Sequence, residues 1–392
     1  MKILFLLSRY PYPLTKGDKL RAFMQMKHLA KENDVFLFCL NQKSFHKTQT
    51  TFCFDYLKGL KICNFTFINS CFGMLKSIFN HTPLQVGFYS HKRNIRAFEH
   101  YVKEIEPDIV YVQFVRMAAY CRNIKTKKVL DFQDALSANM RRRAEISNLF
   151  LKPALLREAK LLQRYEAAML DFFDQTSIIT DTDRQEIASN QRNNILIVSN
   201  GIDKSYFEYS EKQEKKYDVM FCGNMSYVPN VDAAKYLITK IMPLVWAAFP
   251  KAKVLIAGAN PKRSVLRLAS DNVKVSGYVE DMKQCYAESS VFVAALRTGS
   301  GLQNKLLEAM AIGTPVICSA LANKALKAKA NQHLLVANTT KEYADLIIKL
   351  LNDNALQQDL TSAAKTFVRD TYNWETICQN LSSAFSDLVS KS

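Results

Sequence analysis

The fold is decided by the stretch Arg297-Thr-Gly-Ser-Gly-Leu-Gln-Asn-Lys-Leu-Leu-Glu-Ala-Met-Ala-Ile-Gly-Thr-Pro-Val-Ile-Cys-Ser319. An apolar run ends just before it at Leu296, a polar turn with two glycines follows, and a helical pattern begins near Leu302. Gly313-Thr-Pro315 ends that helix, and Val316-Ile-Cys318 has the composition of a buried strand. The stretch therefore predicts a strand–loop–helix–strand unit of a parallel sheet.

The loop before this helix is suited to bind a phosphate. The first turn of a helix leaves backbone N–H groups unpaired and carries about half a positive charge. Gly299 and Gly301 present no side chain that would block a close approach. Glu308 follows on the same helix, where its carboxylate can accept hydrogen bonds from sugar or ribose hydroxyls. A helix-capping turn with a surface glutamate is the alternative interpretation of these residues.

These residues also resemble a family motif. Glu308-Ala-Met-Ala311 followed by Gly313-Thr-Pro-Val316 is similar to the second half of the E-x7-E motif of family 4 GT-B glycosyltransferases. In that family the second Glu holds the nucleotide ribose, and the preceding loop holds the diphosphate and the sugar. The first Glu corresponds to Ser300, so this chain lacks it. The variant Gly-x-Gln-Asn-Lys-x-x-Glu-Ala-Met-Ala, from Gly301, resembles the sugar transferases of bacterial exopolysaccharide gene clusters.

The resemblance implies an α/β fold of the GT-B class, with two Rossmann-like domains facing a cleft and a C-terminal helix that crosses back to the first domain. Ile195-Leu-Ile-Val-Ser-Asn-Gly-Ile-Asp203 resembles the segment by which the chain leaves the first domain. We therefore expect an acceptor-side domain over residues 1–204 with helix 374–390, and a nucleotide-sugar-binding domain over residues 205–373. The implied activity is retaining transfer of a sugar from a nucleotide-diphosphate sugar to a polysaccharide or lipid-linked glycan.

The strands of the second half end at glycines that should form the donor site. Because the carboxyl ends of parallel strands meet at one sheet edge, we expect Gly223, Gly258, Gly277 and Gly299 to converge there. The resemblance places Tyr278-Val279 at the turn that contacts the base. The Arg and Lys with which the family holds the diphosphate are Asn224 and Asn230 here, which leaves Lys305 or Arg297 to supply the charge. The predicted donor-binding residues are Gly17, Gly223, Asn224, Gly258, Tyr278, Val279, Arg297, Ser300, Gly301, Leu302, Gln303, Asn304 and Glu308.

The first half contributes fewer candidates. The loop after the first strand has one glycine, Gly17, instead of the G-x-G-x-x-G of dinucleotide-binding dehydrogenases. It resembles the acceptor-side loop of GT-B enzymes, in which a glycine approaches the donor phosphate; a plain turn glycine is the alternative. Asp134 follows a strand end and is predicted to serve an acceptor hydroxyl, or else to cap a long helix over 136–170. The predicted catalytic residues are Glu308, Lys305 and Asp134.

No metal or other cofactor is expected. Asp181-Thr-Asp183 spells the DxD of metal-dependent glycosyltransferases, but it directly follows a strand and opens a helix, so we interpret it as an N-cap. The leaving diphosphate would be stabilised by the helix start and a cation instead.

Charge and composition define the expected partners and location. Residues 1–200 hold 30 Lys and Arg against 18 Asp and Glu, a balance of +12 within the net +17. The basic, aromatic-rich stretch 58–80 predicts contact with an anionic membrane, or a core helix with solvated lysines. The absence of a spanning run or cleavage site, and nine cysteines without metal-ligand spacing, favour a cytoplasmic chain that is peripheral on the inner face of the membrane.

The sequence supports two other functions less well. A nucleotide-sugar 2-epimerase would use the same fold, but the sequence does not clearly supply its acid/base histidine and carboxylates. A nucleic-acid binder is suggested only by net charge, and the chain has no motif of that class, so nucleic acid is not an expected partner.

Overall fold

The computed structural model describes residues 1–14, 16–41, 54–145, 147–209, 214–299 and 301–391. The chain divides into two compact units: unit 1 comprises Met1–Ser199 with Trp374–Ser392, and unit 2 comprises Asn200–Asn373. The change of unit falls five residues before the predicted position at 204. No helix within the described ranges is long and apolar enough to cross a membrane.

Unit 1 is built on a parallel sheet. Its strands are β1 (Lys2–Leu7), β2 (Asp34–Asn41), β3 (Gly59–Asn64), β4 (Ile109–Gln113), β5 (Lys127–Asp131), β6 (Gln175–Ile178) and β7 (Leu196–Ile197). They lie in the order β3-β2-β1-β4-β5-β6-β7. Alternate residues of β1 enter two separate apolar clusters, Leu4 and Leu6 in one and Ile3, Phe5 and Leu7 in the other. The sheet is therefore covered on both faces, as its continuous apolar strands predict.

The helices of unit 1 connect these strands. They are α1 (Gly17–Leu29), α2 (Phe67–Phe79), α3 (Leu84–Tyr89), α4 (Lys92–Ile105), α5 (Leu136–Glu145), α6 (Lys152–Phe172) and α7 (Asp181–Glu186). A 3-10 helix, Val115–Cys121, follows β4.

The long helix predicted over 136–170 is wrong, because α5 and α6 are separate helices. Asn148 accepts a hydrogen bond from the Leu151 amide at 3.0 Å, which closes a turn between them. Pro153 then stands in the first turn of α6, where its missing N–H costs nothing. The pattern of apolar residues runs through this turn and did not reveal it.

Unit 2 repeats the design with a six-stranded parallel sheet. Its strands are β8 (Tyr217–Cys222), β9 (Val254–Ala257), β10 (Val273–Gly277), β11 (Ser289–Ala294), β12 (Val316–Cys318) and β13 (Leu335–Val336), in the order β10-β9-β8-β11-β12-β13. Its helices are α8 (Lys204–Phe207), α9 (Val228–Tyr236), α10 (Met242–Ala248), α11 (Arg263–Leu266), α12 (Met282–Ala287), α13 (Asn304–Ile312), α14 (Ala320–Leu326), α15 (Thr340–Asn352) and α16 (Asn354–Thr371). The last helix, α17 (Trp374–Ser390), belongs to unit 1. A π-helical segment, Leu237–Ile241, joins α9 to α10.

Helix α17 packs on unit 1, as the predicted C-terminal helix should. The Phe385 ring lies 5.7 Å from that of Tyr111 on β4, and Glu375 pairs with Lys31 at 2.8 Å. Trp374 is buried in a small cluster with Met24 of α1. The chain therefore returns to the unit in which it began.

Candidate functional site

The predicted donor residues of unit 2 gather where the winding of its sheet reverses. Strands β8 and β11 are neighbours, and the chain leaves them in opposite directions, toward β9 and toward β12. In open α/β sheets this position opens a crevice at the carboxyl ends of the strands. Hydrogen bonds join the two diverging connections: the Lys305 ammonium donates to Oδ1 of Asn230 at 2.6 Å, and the Arg297 guanidinium donates to Asp232.

Three of the predicted glycines lie side by side at this sheet edge. The Gly258 amide donates to the Gly277 carbonyl at 2.9 Å, and a Cβ on Gly258 would lie 1.9 Å from the Gly223 carbonyl oxygen. A Cβ on Gly223 would in turn meet the amide group of Asn230 at 2.6 Å. The strand ends are packed backbone against backbone, and only glycine allows that approach.

The start of α13 differs from the prediction by two residues and has no side-chain cap. The helix begins at Asn304 rather than near Leu302, because Gly301 has a φ of +86° and Gln303 is extended. The Gln303 side chain donates to the Gly301 carbonyl at 3.3 Å instead of accepting from the helix. Gly299 also has a positive φ, +105°. The first turn of α13 thus keeps its capacity to bind an anion.

Lys305 is a half-buried cation beside this helix start. Its ammonium lies 4.7 Å from the centre of the Phe221 ring and contacts neutral Asn230. Burial lowers its pKa to about 8, and the carboxylate of Glu308 acts against that shift. A cation with so few compensating contacts is well placed to meet an anionic ligand.

Glu308 is half-buried and held in place, so the interpretation as a surface glutamate is wrong. Its Oε2 accepts a hydrogen bond from the Tyr286 hydroxyl at 2.8 Å. Because Tyr286 gives its only proton to Glu308, the Cys222 thiol at 3.0 Å donates to the tyrosine oxygen. Burial raises the pKa of Glu308, while the bond from Tyr286 and the charge of Lys305 lower it. The carboxylate is fixed at a defined position.

Arg297, the second predicted cation, is already paired. Its guanidinium makes a two-pronged contact with Asp232, with Nε at 3.0 Å from Oδ2, and lies 4.6 Å from the centre of the Tyr236 ring. The hydrogen bond to Asp232 raises the pKa of Arg297. The charge of this side chain is therefore largely balanced within the protein.

The remaining donor candidates have different surroundings. Tyr278 is 68% exposed at the turn after β10, and Val279 packs against the core beside it. Asn224 accepts hydrogen bonds from the backbone and side chain of Ser226. Leu302 packs against the core of unit 2, Asn304 accepts a hydrogen bond from Asn200 at 3.2 Å, and Ser300 lies outside the described residues.

Gly17 and Asp134 belong to unit 1. Gly17 is the first residue of α1, and a Cβ there would meet nothing within 4 Å, so packing does not require glycine. Asp134 does not cap α5, contrary to the alternative interpretation. That role falls to Glu166 of α6, which accepts from the amide of Ser137 at 3.0 Å and from its hydroxyl. Asp134 instead accepts from the Asn139 side chain at 2.8 Å.

Oδ1 of Asp134 is buried and has no hydrogen-bond partner among the described residues. The same holds for Nε of Arg116, Nε2 of Gln133 and Oδ1 of Asp183. Burial and the charge of Asp183 raise the pKa of Asp134 to about 7, against the effect of Arg116. Buried polar groups without a partner are the exception in folded proteins, and a polar ligand or a water that reaches Asp134 would satisfy its carboxylate.

The sequence identified Asp134 but not its neighbours or the anchor of Glu308. Arg116 interrupts an apolar run, Phe114 to Cys121, and a charge in such a run is a usable signal of a buried polar contact. Tyr286 lies in a short helix of mixed composition, and nothing in the sequence indicates its contact with Glu308.

At Asp181-Thr-Asp183 the N-cap is Thr180 rather than an aspartate. Asp181 instead pairs with Arg184 at 2.6 Å.

This chain is similar to known proteins both over nearly its whole length and within unit 2. Residues 216–353 match the family described as Glycosyl transferases group 1. A Klebsiella pneumoniae protein described as an uncharacterized 44.6 kDa protein in the cps region is 22% identical, over 97% of this chain and 98% of its own. A GDP-mannose-dependent monoacylated alpha-(1-6)-phosphatidylinositol monomannoside mannosyltransferase of Corynebacterium glutamicum is 32% identical, over 37% of this chain and 41% of its own.

The solved structure of Anabaena HepE in complex with UDP is similar in fold, with a TM-score of 0.69 at 15% identity over 99% of this chain and 100% of that one. Together with the two doubly wound units, this likeness confirms the predicted GT-B fold.

Proposed function

We propose that this chain, whose residues 216–353 form a glycosyl transferases group 1 domain, moves a hexose from a nucleotide-diphosphate sugar to a hydroxyl of a glycan or lipid-linked glycan, with retention of configuration. In the reaction the bond from the anomeric carbon to the diphosphate breaks and a bond to the acceptor oxygen forms. The diphosphate departs with negative charge, and stabilising that charge is the main task of the site.

One observation carries this proposal: an uncapped helix start and a half-buried lysine, whose hydrogen bond within the described residues goes to a neutral side chain, occur together at the switch point of unit 2. The α13 amides and the Lys305 ammonium are fixed donors that need no reorganisation as charge develops on the diphosphate. Gly299 and Gly301 let the phosphates approach the backbone closely. Between the two cations that the sequence left open, we assign this role to Lys305, because Asp232 already balances Arg297.

Glu308 is assigned to the nucleotide ribose. Tyr286 holds one carboxylate oxygen, which leaves Oε1 to accept from hydroxyls of the ligand. A carboxylate that accepts from a hydroxyl makes a charge-assisted bond, worth about 1.5–3 kcal/mol. The exposed ring of Tyr278 is assigned to the base, against which it can stack.

The acceptor is assigned to unit 1. Asp134, whose side chain is partly exposed, can meet an acceptor hydroxyl, and the charges of Asp183 and Arg116 act on its carboxylate. With a pKa of about 7, Asp134 can accept a hydrogen bond from the attacking hydroxyl or take its proton near neutral pH. The similarity to a protein of a cps region supports a capsular or exopolysaccharide product, made on the cytoplasmic side of the membrane.

The test is a panel of UDP- and GDP-sugars, since one relative is named for GDP-mannose and one structural neighbour holds UDP. A true donor at about 100 times its dissociation constant adds ~2.7 kcal/mol of stability, which thermal unfolding detects. Turnover of that donor should persist in EDTA. If no nucleotide sugar stabilises the chain, the proposal fails. Activity lost in EDTA and restored by Mn²⁺ would instead contradict metal independence and implicate Asp181 and Asp183.

A further inference from the structure

Helix α2 turns its small residues toward the protein and its large apolar residues toward solvent, which is the reverse of the usual arrangement in an amphipathic helix. The residues that it turns toward the protein are small: Ser70 and Ser77 are buried, and Gly73 lies between them. Gly73 meets Gly87 of α3 so closely that a Cβ on it would lie 2.2 Å from the Gly87 carbonyl oxygen. The small residues therefore bring α2 close to α3, and the large side chains of α2 point away from the protein.

These large side chains form an exposed apolar face. Its members are between 44% and 75% exposed: Phe67, Ile68, Phe72, Leu75, Ile78 and Phe79. The interpretation of 58–80 as a core helix is therefore wrong. A contiguous exposed face of this kind on a globular protein usually marks an interaction surface.

A second exposed apolar group lies at the start of α6, the helix that contacts the end of α2. Leu149, Phe150 and Leu151 form the turn before α6 and are 86%, 94% and 57% exposed. Two contacts attach the end of α2 and the start of α3 to the first turns of α6. Arg157 donates to the Ile78 carbonyl at 3.5 Å, and Glu158 accepts from the Leu84 amide at 2.9 Å. Six residues of helix separate Lys152 from Glu158, roughly 9 Å, so the turn lies near the α2 face.

The surroundings of both groups are basic. No acidic residue occurs between Asp55 and Glu99, a segment that contains six Lys and Arg, and Lys76 is exposed on α2 itself. The segment from Arg141 to Glu158 adds five cations and two Glu. An apolar face within a cationic surround complements a surface that is apolar inside and anionic outside.

We propose that the exposed apolar side chains of α2 and of residues 149–151 insert into the interfacial layer of a bilayer that contains anionic lipids. A two-fold contact between copies of this chain would instead bring the same basic surround against itself. Aromatic and aliphatic side chains enter the acyl boundary while cations on the flanks meet the headgroups. This inference deepens the proposed function and rests on it for one point only, that the acceptor is lipid-linked.

The test uses the whole chain and sedimentation with phosphatidylcholine vesicles, with and without phosphatidylglycerol. The parent should bind the anionic vesicles at low salt and lose much of that binding at about 1 M salt, where the Debye length is about 3 Å. The double variant Phe72→Gln, Phe79→Gln should bind at least tenfold more weakly. A matched control is Leu244→Gln, Leu266→Gln, which changes two leucines of unit 2 that are 46% and 48% exposed; it should bind like the parent.

Thermal stabilisation by the nucleotide-sugar donor, measured on the same samples, separates this inference from the proposed function. It should be the same in the parent and in both variants, since neither pair of substitutions touches the donor site. The inference is overturned if the parent does not bind anionic vesicles at low salt, or if the Phe72→Gln, Phe79→Gln variant binds them as the parent does. It is equally overturned if the parent self-associates without lipid and this variant alone prevents it, because the occupant is then a second copy.

Discussion

At the scale of single residues, the structure separates two cations that the sequence could not. Lys305 and Arg297 are both close to the α13 start in sequence, and residue type alone favours neither. The difference is their partners: Lys305 donates to neutral Asn230 and its charge is offset only in part by nearby Glu308, whereas Asp232 pairs directly with Arg297. Glu308 could be predicted from its motif, but the Tyr286 hydroxyl that orients it could not, because that contact is made between residues 22 apart.

The depressed pKa of Lys305 predicts how donor affinity depends on pH. The amine of the free protein becomes neutral as the pH rises through about 8, whereas binding of the diphosphate requires the ammonium. Affinity should therefore change little between about pH 6.5 and 7.5 and fall by up to tenfold per pH unit above 8. Calorimetric titration with the donor across this range measures it.

Lys305→Arg is the matched control, because a guanidinium stays charged throughout that range. Its affinity, even if lower, should no longer depend on pH above 8. An affinity of the parent that holds constant up to about pH 9.5 would show that Lys305 does not meet the diphosphate.

At the scale of elements, the strand ends were the most predictable part of the site. The apolar runs of β8, β9 and β10 each lead into a glycine, and a parallel sheet must bring those ends to one edge, so Gly223, Gly258 and Gly277 could be placed together before the structure was known. Helix boundaries were less predictable. The start of α13 is set by the backbone of Gly301 and Gln303, and the break between α5 and α6 by one Asn148 side chain, neither of which alters the apolar pattern.

The close packing of the strand ends predicts an effect of Gly258→Ala on stability. The new Cβ would meet the Gly223 carbonyl oxygen at 1.9 Å, and the φ of +130° disfavours alanine. Unfolding free energy should fall by about 1–3 kcal/mol, seen as a melting temperature several degrees lower. Gly17→Ala is the control, since its Cβ meets nothing within 4 Å. A melting temperature unchanged by Gly258→Ala would show that this edge is loosely packed.

At the scale of the whole molecule, length and alternation of strands and helices were sufficient to predict two doubly wound units and a C-terminal helix on the first. The predicted helix 374–390 coincides with α17, because its apolar stripe at Trp374, Leu381 and Phe385 has a partner surface to fill. The exposed face of α2 shows what pattern alone could not determine. An apolar stripe indicates that a helix needs a partner surface, and only the packing of Gly73 and Ser77 against Gly87 of α3 shows that the large apolar side chains of α2 are left exposed.

The central claim is that the donor nucleotide lies across the start of α13 with its ribose at Glu308, and titration of the intact chain with its donor tests it most directly. Glu308→Gln keeps the shape of the side chain and can still accept from Tyr286, but it removes the charge. Donor affinity should fall by tenfold or more, on the order of 1.4 kcal/mol per decade, with the melting temperature of the free protein nearly unchanged. Tyr286→Phe, which leaves the charge and removes only its anchor, should cost less. A Glu308→Gln variant that binds and turns over the donor like the parent would contradict the account, because the nucleotide would then lie elsewhere.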